Sequence, residues 1–290
     1  ALKSGLALEQ KLGVNPYKFG LIGSSDAHTG LAAMEEDNFF GKTAPQEPSP
    51  ERMTKTFFDN PATGVKVMDW EVSASGFAAV WATDNTRAAL FDAMQRRETY
   101  ATTGPRMIVR FFGGWNFEAG DATHRLPAAI GYSKGVPMGG DLGQAPADKA
   151  PTFLVAAMKD PMGANLDRIQ VVKGWLDAKG TLHEQVYDVV WGDADKRKPD
   201  AGGKLPGVGS TVDVAGASWT NTIGDPELIA VWKDPAFDPQ QRAFYYARVL
   251  EIPTPRWTAY DANRFGIQPL PGTTMTLQER AYTSPIWYTP

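Results

Sequence analysis

The sequence predicts an α/β part followed by a β part, and three observations carry that expectation. The chain holds 29 Gly and 22 Pro in 290 residues, an excess over ordinary usage that calls for many turns. Aromatic residues make up 11%, with nine Trp, which suits pleated, half-buried strands better than a helical bundle. Past position 105, short apolar runs recur between turn-rich spacers, the pattern of a β-sandwich.

Leu2, Leu6, Leu8 and Leu12 recur at helical spacing, Gly13 supplies a C-terminal cap, and Asn15-Pro16 ends the helix. No initiator Met, signal peptide or N-cap stands before Ala1, so the first helix reads as one entered partway and the chain as a C-terminal portion of something longer. Tyr17–Gly23 is a short apolar run after a Pro turn and reads as a buried strand. From Gly41 to Asp59 the chain is polar, with Pro45, Pro48 and Pro50, and reads as a surface loop. Thr83 to Thr86 offer N-caps for a helix reaching Arg97, with Leu90, Phe91 and Met94 as its buried face. A sharp turn at Thr102–Arg106 marks the expected boundary between a domain at 1–104 and one at 105–290.

Strands follow at Arg106–Phe112 and Thr152–Ala157. A long hairpin comes next, Leu166–Trp175 and His183–Trp191, joined through Asp177-Ala178-Lys179-Gly180. Val212–Val214, Glu227–Trp232 and Ala243–Ile252 complete the strand set, and no repeat recurs at a fixed period.

Composition removes several function classes. With no Cys, a disulfide scaffold, a zinc finger, an iron–sulfur cluster and a cysteine nucleophile are excluded. A net charge of −4 and a pI near 5.5 argue against a nucleic-acid partner. Mean hydropathy is −0.32 and no long uncharged apolar run occurs, so no membrane-spanning helix is expected.

The richest chemistry lies at Gly23-Ser24-Ser25-Asp26-Ala27-His28. In an extended chain Asp26 and His28 project to one side, and the small residues around them leave space. A hard carboxylate oxygen beside a borderline imidazole nitrogen is a donor pair for a divalent metal; the plain alternative is an Asp that caps the next turn and accepts a hydrogen bond from the His. The same stretch is near a G-x-S-x-G nucleophile elbow centred on Ser25, although Ala27 replaces the second Gly and His124 or His183 would have to serve as base. Glu35, Glu36 and Asp37 attract cations or simply open a solvated helix. The turn ending at Arg106 can present N–H groups and a guanidinium to an anion, or be a plain connection. Lys196-Arg197-Lys198 reads as a solvated loop run, His124 and His183 as structural, and most Trp as sandwich core.

Tyr17 to His28 resembles the last metal motif of the polymerase-and-histidinol-phosphatase (PHP) superfamily, metal-dependent phosphoesterases on a distorted βα barrel. More closely, the chain resembles a bacterial family known as domain of unknown function 3604. That likeness continues through Glu35–Lys42, Gly76–Ala82 and Arg97–Arg106, and returns at Thr254–Asp261 and Ser284–Tyr288. The resemblance implies the C-terminal part of a PHP-like barrel followed by a β-sandwich, with Asp26 and His28 as metal ligands. The superfamily's His-x-His motif is absent, since the three histidines stand at 28, 124 and 183.

The expectation is therefore a metal-dependent hydrolase, phosphoesterase-like, using a divalent ion (Zn, Mn or Fe). Its metal site would be completed by an N-terminal segment of the same precursor. Arg106, Arg87 and Arg256 are the candidates to hold negative charge on a small, phosphorylated substrate. The alternative is a non-catalytic module whose sandwich binds a glycan or partner, with a vestigial Asp/His pair and an exposed aromatic strip. The resemblance is to proteins that are often exported, so a periplasmic or secreted location is expected, with the cytoplasm as the alternative.

Overall fold

The computed structural model describes residues 1–31, 35–72 and 74–290. The first part supplies α1 (Leu2–Leu12), the hairpin β1 (Thr56–Asn60) and β2 (Val65–Met68), β3 (Phe77–Val80), α2 (Arg87–Gln95) and β4 (Thr99–Thr102). Next come β5 (Ile108–Gly114), α3 (Pro127–Lys134), β6 (Gly135–Pro137), β7 (Asp141–Leu142), β8 (Thr152–Met158), β9 (Leu166–Leu176) and β10 (Leu182–Trp191). The chain closes with β11 (Glu227–Lys233), β12 (Ala243–Glu251), β13 (Thr254–Pro255), α4 (Trp257–Phe265), β14 (Thr276–Leu277), β15 (Arg280–Thr283) and β16 (Ile286–Tyr288).

Two sheets build the core. The larger runs β10-β9-β12-β15-β4-β3, and β16 joins β12 to β7. The smaller runs β11-β8-β5-β6. Their facing sides share one apolar cluster that includes Phe111, Phe153, Val171, Tyr245, Ala247 and Ile286. Phe153 of the small sheet stacks on Phe111 at 5.4 Å and meets Tyr245 of the large sheet at 4.5 Å, so one ring bridges the layers. Burying each such ring contributes about 2–3 kcal/mol. The layout is sandwich-like, and no closed barrel forms among the described residues. The large sheet takes β3 and β4 from one side of position 104 and β9, β12 and β15 from the other.

The expected strands at 106–112, 152–157, 166–175, 183–191, 227–232 and 243–252 all form, with ends shifted by a residue or two. Val212–Val214 does not; only an isolated bridge, Asp213 to Ser218, occurs there. The loop expected over 41–59 ends in the β1–β2 hairpin. In α2, Thr86 caps as expected by accepting from the Ala89 N–H at 3.3 Å. The buried residue is Ala93, however, while Phe91 and Met94 face solvent, because this short helix touches β3 with one narrow stripe.

α1 ends on Gly13, whose φ of 78° is the left-handed cap that glycine adopts without strain. Leu6 seals the outer face of the large sheet against Leu176, Phe244 and Trp287. Arg52 ties the 39–46 loop to α4: its guanidinium donates to the Phe39, Phe40 and Gln46 carbonyls and pairs with buried Asp261. It also lies over the Trp257 ring at 4.3 Å. This buried knot fixes where Glu36 sits against the start of α4.

Candidate functional site

Tyr17–Gly23 is not a buried ladder strand. It lies beside β3 with few bonds, Gly23 N–H to the Phe77 carbonyl at 3.0 Å and Leu21 N–H to the Ser284 hydroxyl at 2.9 Å, and Ile22 is 62% exposed. A Cβ at Gly23 would stand 2.4 Å from the Thr102 carbonyl oxygen, and one at Gly76 2.6 Å from that of Ser24. Glycine at both positions lets the segment press against β3 and β4.

At the end of this segment Asp26 has a φ of 57°, a left-handed conformation that Asp tolerates better than most residues. Ser24 Oγ accepts from the Asp26 N–H at 3.3 Å, Ser25 Oγ from the Ala27 N–H at 3.1 Å, and the Lys42 carbonyl from the His28 N–H at 2.7 Å. His28 Nε2 meets Asp26 Oδ1 at 2.9 Å, and the Lys42 ammonium pairs with Asp26 Oδ2. Both side chains remain about 60% exposed. The hydrogen bond from Lys42, and then that from His28, hold the Asp26 carboxyl below its ordinary range. The pair therefore meets as the spacing predicts, although by a left-handed turn and not by a straight strand. Among the described residues no third His, Asp or Glu joins it in a metal-holding group.

The nucleophile elbow is not formed. Ser25 is engaged with its own turn, no α-helix follows directly among the described residues, and the other two histidines are occupied elsewhere. His124 Nδ1 accepts from the Leu126 N–H at 3.1 Å, and His183 stacks on Trp175 while bonding Asp177 at 2.8 Å. The Lys196-Arg197-Lys198 run is not merely solvated either. Arg197 is buried and binds the Asp167 carboxylate at 2.7 Å together with three carbonyls. All nine Trp are buried or half-buried, and Trp81, Trp115, Trp175, Trp232 and Trp287 pack in the core clusters, as expected of most of them.

A cavity of about 370 Å³ lies where the sandwich end meets α4 and the turn at 35–38. It is lined by carboxyls: Glu35, Glu36, Asp37, Asp160, Glu251 and Glu279. The acidic run at 35–37 therefore does more than open a solvated helix. Glu36 Oε2 accepts from the Trp257 N–H at 2.5 Å, capping α4, and burial raises its pKa. Glu251 and Glu279 are fully buried. The Glu251 N–H donates to the Glu279 carbonyl at 2.9 Å, which continues the β12–β15 register by one residue and sets Glu251 of β12 opposite Glu279 just before β15. Burial, and then the charge of Glu36, push Glu279 up to about 8; burial, and then Glu279, push Glu251 up as well. Burial, followed by Asp37 and Glu36, raises Tyr260 to about 12.

The three candidate arginines separate. Arg106 borders the acidic cavity, its side chain 71% exposed and 3.7 Å from Glu35. Its backbone N–H already bonds Asp160 at 2.7 Å, so the 102–106 turn is not an open anion cradle. Arg256 donates to the Trp70 carbonyl at 2.7 Å and faces Glu36 and Glu279. Arg87 opens α2 in solvent, away from the cavity wall.

Glu251 and Glu279 escaped the sequence reading, yet a signal was present. Tyr245, Ala247 and Val249 share the inward face of β12, and Glu251 continues that face at period two. Glu279 stands likewise two residues before buried Ala281. An acid in the inward register of a core strand is rare without a purpose.

No helix among the described residues is long and apolar enough to cross a membrane. Across residues 1–290 the chain matches a family described as a protein of unknown function (DUF3604), and it belongs to that family. No curated protein and no solved structure matches it.

Proposed function

We propose that this family member is a metal-dependent hydrolase related to the PHP phosphoesterases, with Asp26 and His28 as two ligands of a divalent ion. The observation that carries it is the 2.9 Å approach of His28 Nε2 to Asp26 Oδ1 at an exposed turn held by three backbone anchors. The donor set fits such an ion in kind, one carboxylate and one imidazole, and in number supplies two of the three or more protein ligands a catalytic site uses. The others would come from a segment preceding Ala1.

Bound there, Zn, Mn or Fe would polarise a phosphoryl oxygen and make its bound water a better nucleophile. The chain's own residues prepare the place. Lys42 keeps Asp26 ionised, and a divalent ion would take over the places that the Lys42 ammonium and the His28 ring hold against the two carboxylate oxygens. The His28 backbone bond to Lys42 orients the ring toward Asp26. Arg106 is a candidate to hold substrate charge: it lies 5.5 Å over the Phe77 ring, and the Phe77 carbonyl holds the segment that delivers Asp26.

The test is the metal content of the full-length protein, by plasma mass spectrometry, before and after combined Asp26→Ala and His28→Ala. Stoichiometric divalent metal in the parent and its loss in the variant are expected. Unchanged metal content overturns the assignment.

A further inference from the structure

We propose that the carboxyl-lined cavity is a second, separate site that binds a small organic cation through its primary ammonium, between Glu251, Glu279 and the rings of Trp219 and Tyr260. The proposal does not depend on the metal reading.

The cavity's acidity alone would not point to a ligand. The second observation is Glu251 Oε1, which has no hydrogen-bond partner although the residue is only 1% exposed. Glu251 lines the cavity, and this oxygen lies 3.5 Å from where a Cβ on Gly163, another lining residue, would stand. An unpartnered buried carboxyl oxygen is costly unless a ligand completes it. The charge of Glu279, set opposite Glu251 just before β15, adds to the cost of ionising it.

The nearby protein cations do not complete it. Lys159 Nζ donates to the Asp160, Pro161 and Gly163 carbonyls at 2.9, 3.2 and 3.0 Å. Arg280 donates to the Gln278 carbonyl at 3.1 Å, and Arg256 to Trp70. An ammonium reaching Glu251 would satisfy the lone oxygen and offset the paired carboxylates at once. A neutral polyol would bring no positive charge to favour the ionised carboxyls, and an anion would meet Glu36 and Asp160 as well. Trp219 and Tyr260 line the cavity as well, and aromatic rings suit an organic cation. A bare metal ion fits less well, because the described carboxyls do not converge three at a time.

Cation binding favours the ionised carboxyls, so the ligand expels protons on entry. Glu251 is faced by Glu279, Asp160 and Lys159, and Glu279 by Glu36, Arg280, Arg256 and the Thr103 hydroxyl. Glu251, Glu279 and Glu36 are raised toward neutrality, so binding strengthens as pH rises.

Calorimetric titration of the full chain with 1,4-diaminobutane tests this, with 1,4-butanediol as the uncharged control at matched ionic strength. Affinity for the diamine is expected to rise about tenfold between roughly pH 6 and pH 8, with proton release seen in buffers of different ionisation enthalpy. Glu251→Gln, an isostere of the neutral acid, is expected to weaken binding about tenfold. Trp219→Leu, in a half-buried loop position, is expected to weaken it about fivefold. Equal binding of diamine and diol, no binding of the diamine at millimolar concentration, or full affinity in both variants overturns the proposal.

Discussion

Asp26 and Glu279 are both carboxyls at the ends of extended segments, and their surroundings drive them in opposite directions. Asp26 stands in solvent at a turn, paired with Lys42 and His28, and is held below its ordinary range. Glu279 is buried opposite Glu251, near Glu36, and rises to about 8. A solvated acid beside a cation stays charged and open to a metal; a desolvated acid beside like charge keeps its proton until something cationic arrives. The same residue class thus meets two opposite electrostatic environments within one chain.

The hardest way to break that contrast is to remove the knot that seats the cavity wall. Arg52→Ala leaves buried Asp261 with only Arg264, at 4.0 Å, as a cationic neighbour among the described residues and frees three carbonyls of the 39–46 loop. Urea unfolding is expected to show a loss of about 3–5 kcal/mol.

Next in size is the pH dependence of Glu279. Its pKa is raised on folding, so the folded state holds its proton where the unfolded chain has lost it. Its contribution to stability is complete below about pH 4.5 and disappears as pH rises through about 8. Between about pH 5 and pH 7 the parent should lose roughly 2 kcal/mol that Glu279→Gln retains, and the Gln side chain can still accept from Thr103. Parallel stability–pH curves for the two proteins would contradict a raised Glu279.

The smallest effect concerns Asp26, where the sign reverses. Its ionised form is favoured by folding, so what little it contributes is present above its ordinary range and fades as acid protonates it. Lys42→Met removes the principal cause of the depression. Carbon-13 carboxyl titration should then show the Asp26 midpoint move upward, with the unfolding midpoint almost unchanged, because exposed ion pairs contribute little. A midpoint that stays put would assign the depression to His28 alone.

Much of the sandwich was legible in the residues. The hairpin over 166–191 and the strands at 227 and 243 announce themselves by β-branched and aromatic runs between turn residues, and local pattern suffices for them. Tyr17–Gly23 misled because an apolar run reads as buried strand, whereas its glycines press it flat on β3 without a ladder. Phe91 and Met94 misled because helical spacing cannot say how narrow a stripe the neighbour covers. The Asp26–His28 pair was visible from spacing; the carboxyl cavity was not, since Glu36, Asp160, Glu251 and Glu279 lie far apart along the chain.

By itself the sequence determined the strand-rich second part, the capped helices α1 and α2 and the local Asp26–His28 donor pair. Each depends on neighbours within a few positions, where side-chain period and turn chemistry act directly. Only the tertiary structure decided that β3 and β4 join the large sheet, that Arg197 is buried, and that acids from four distant segments share one cavity. Those outcomes depend on which surfaces lose water together, and desolvation is a property of the assembled layers.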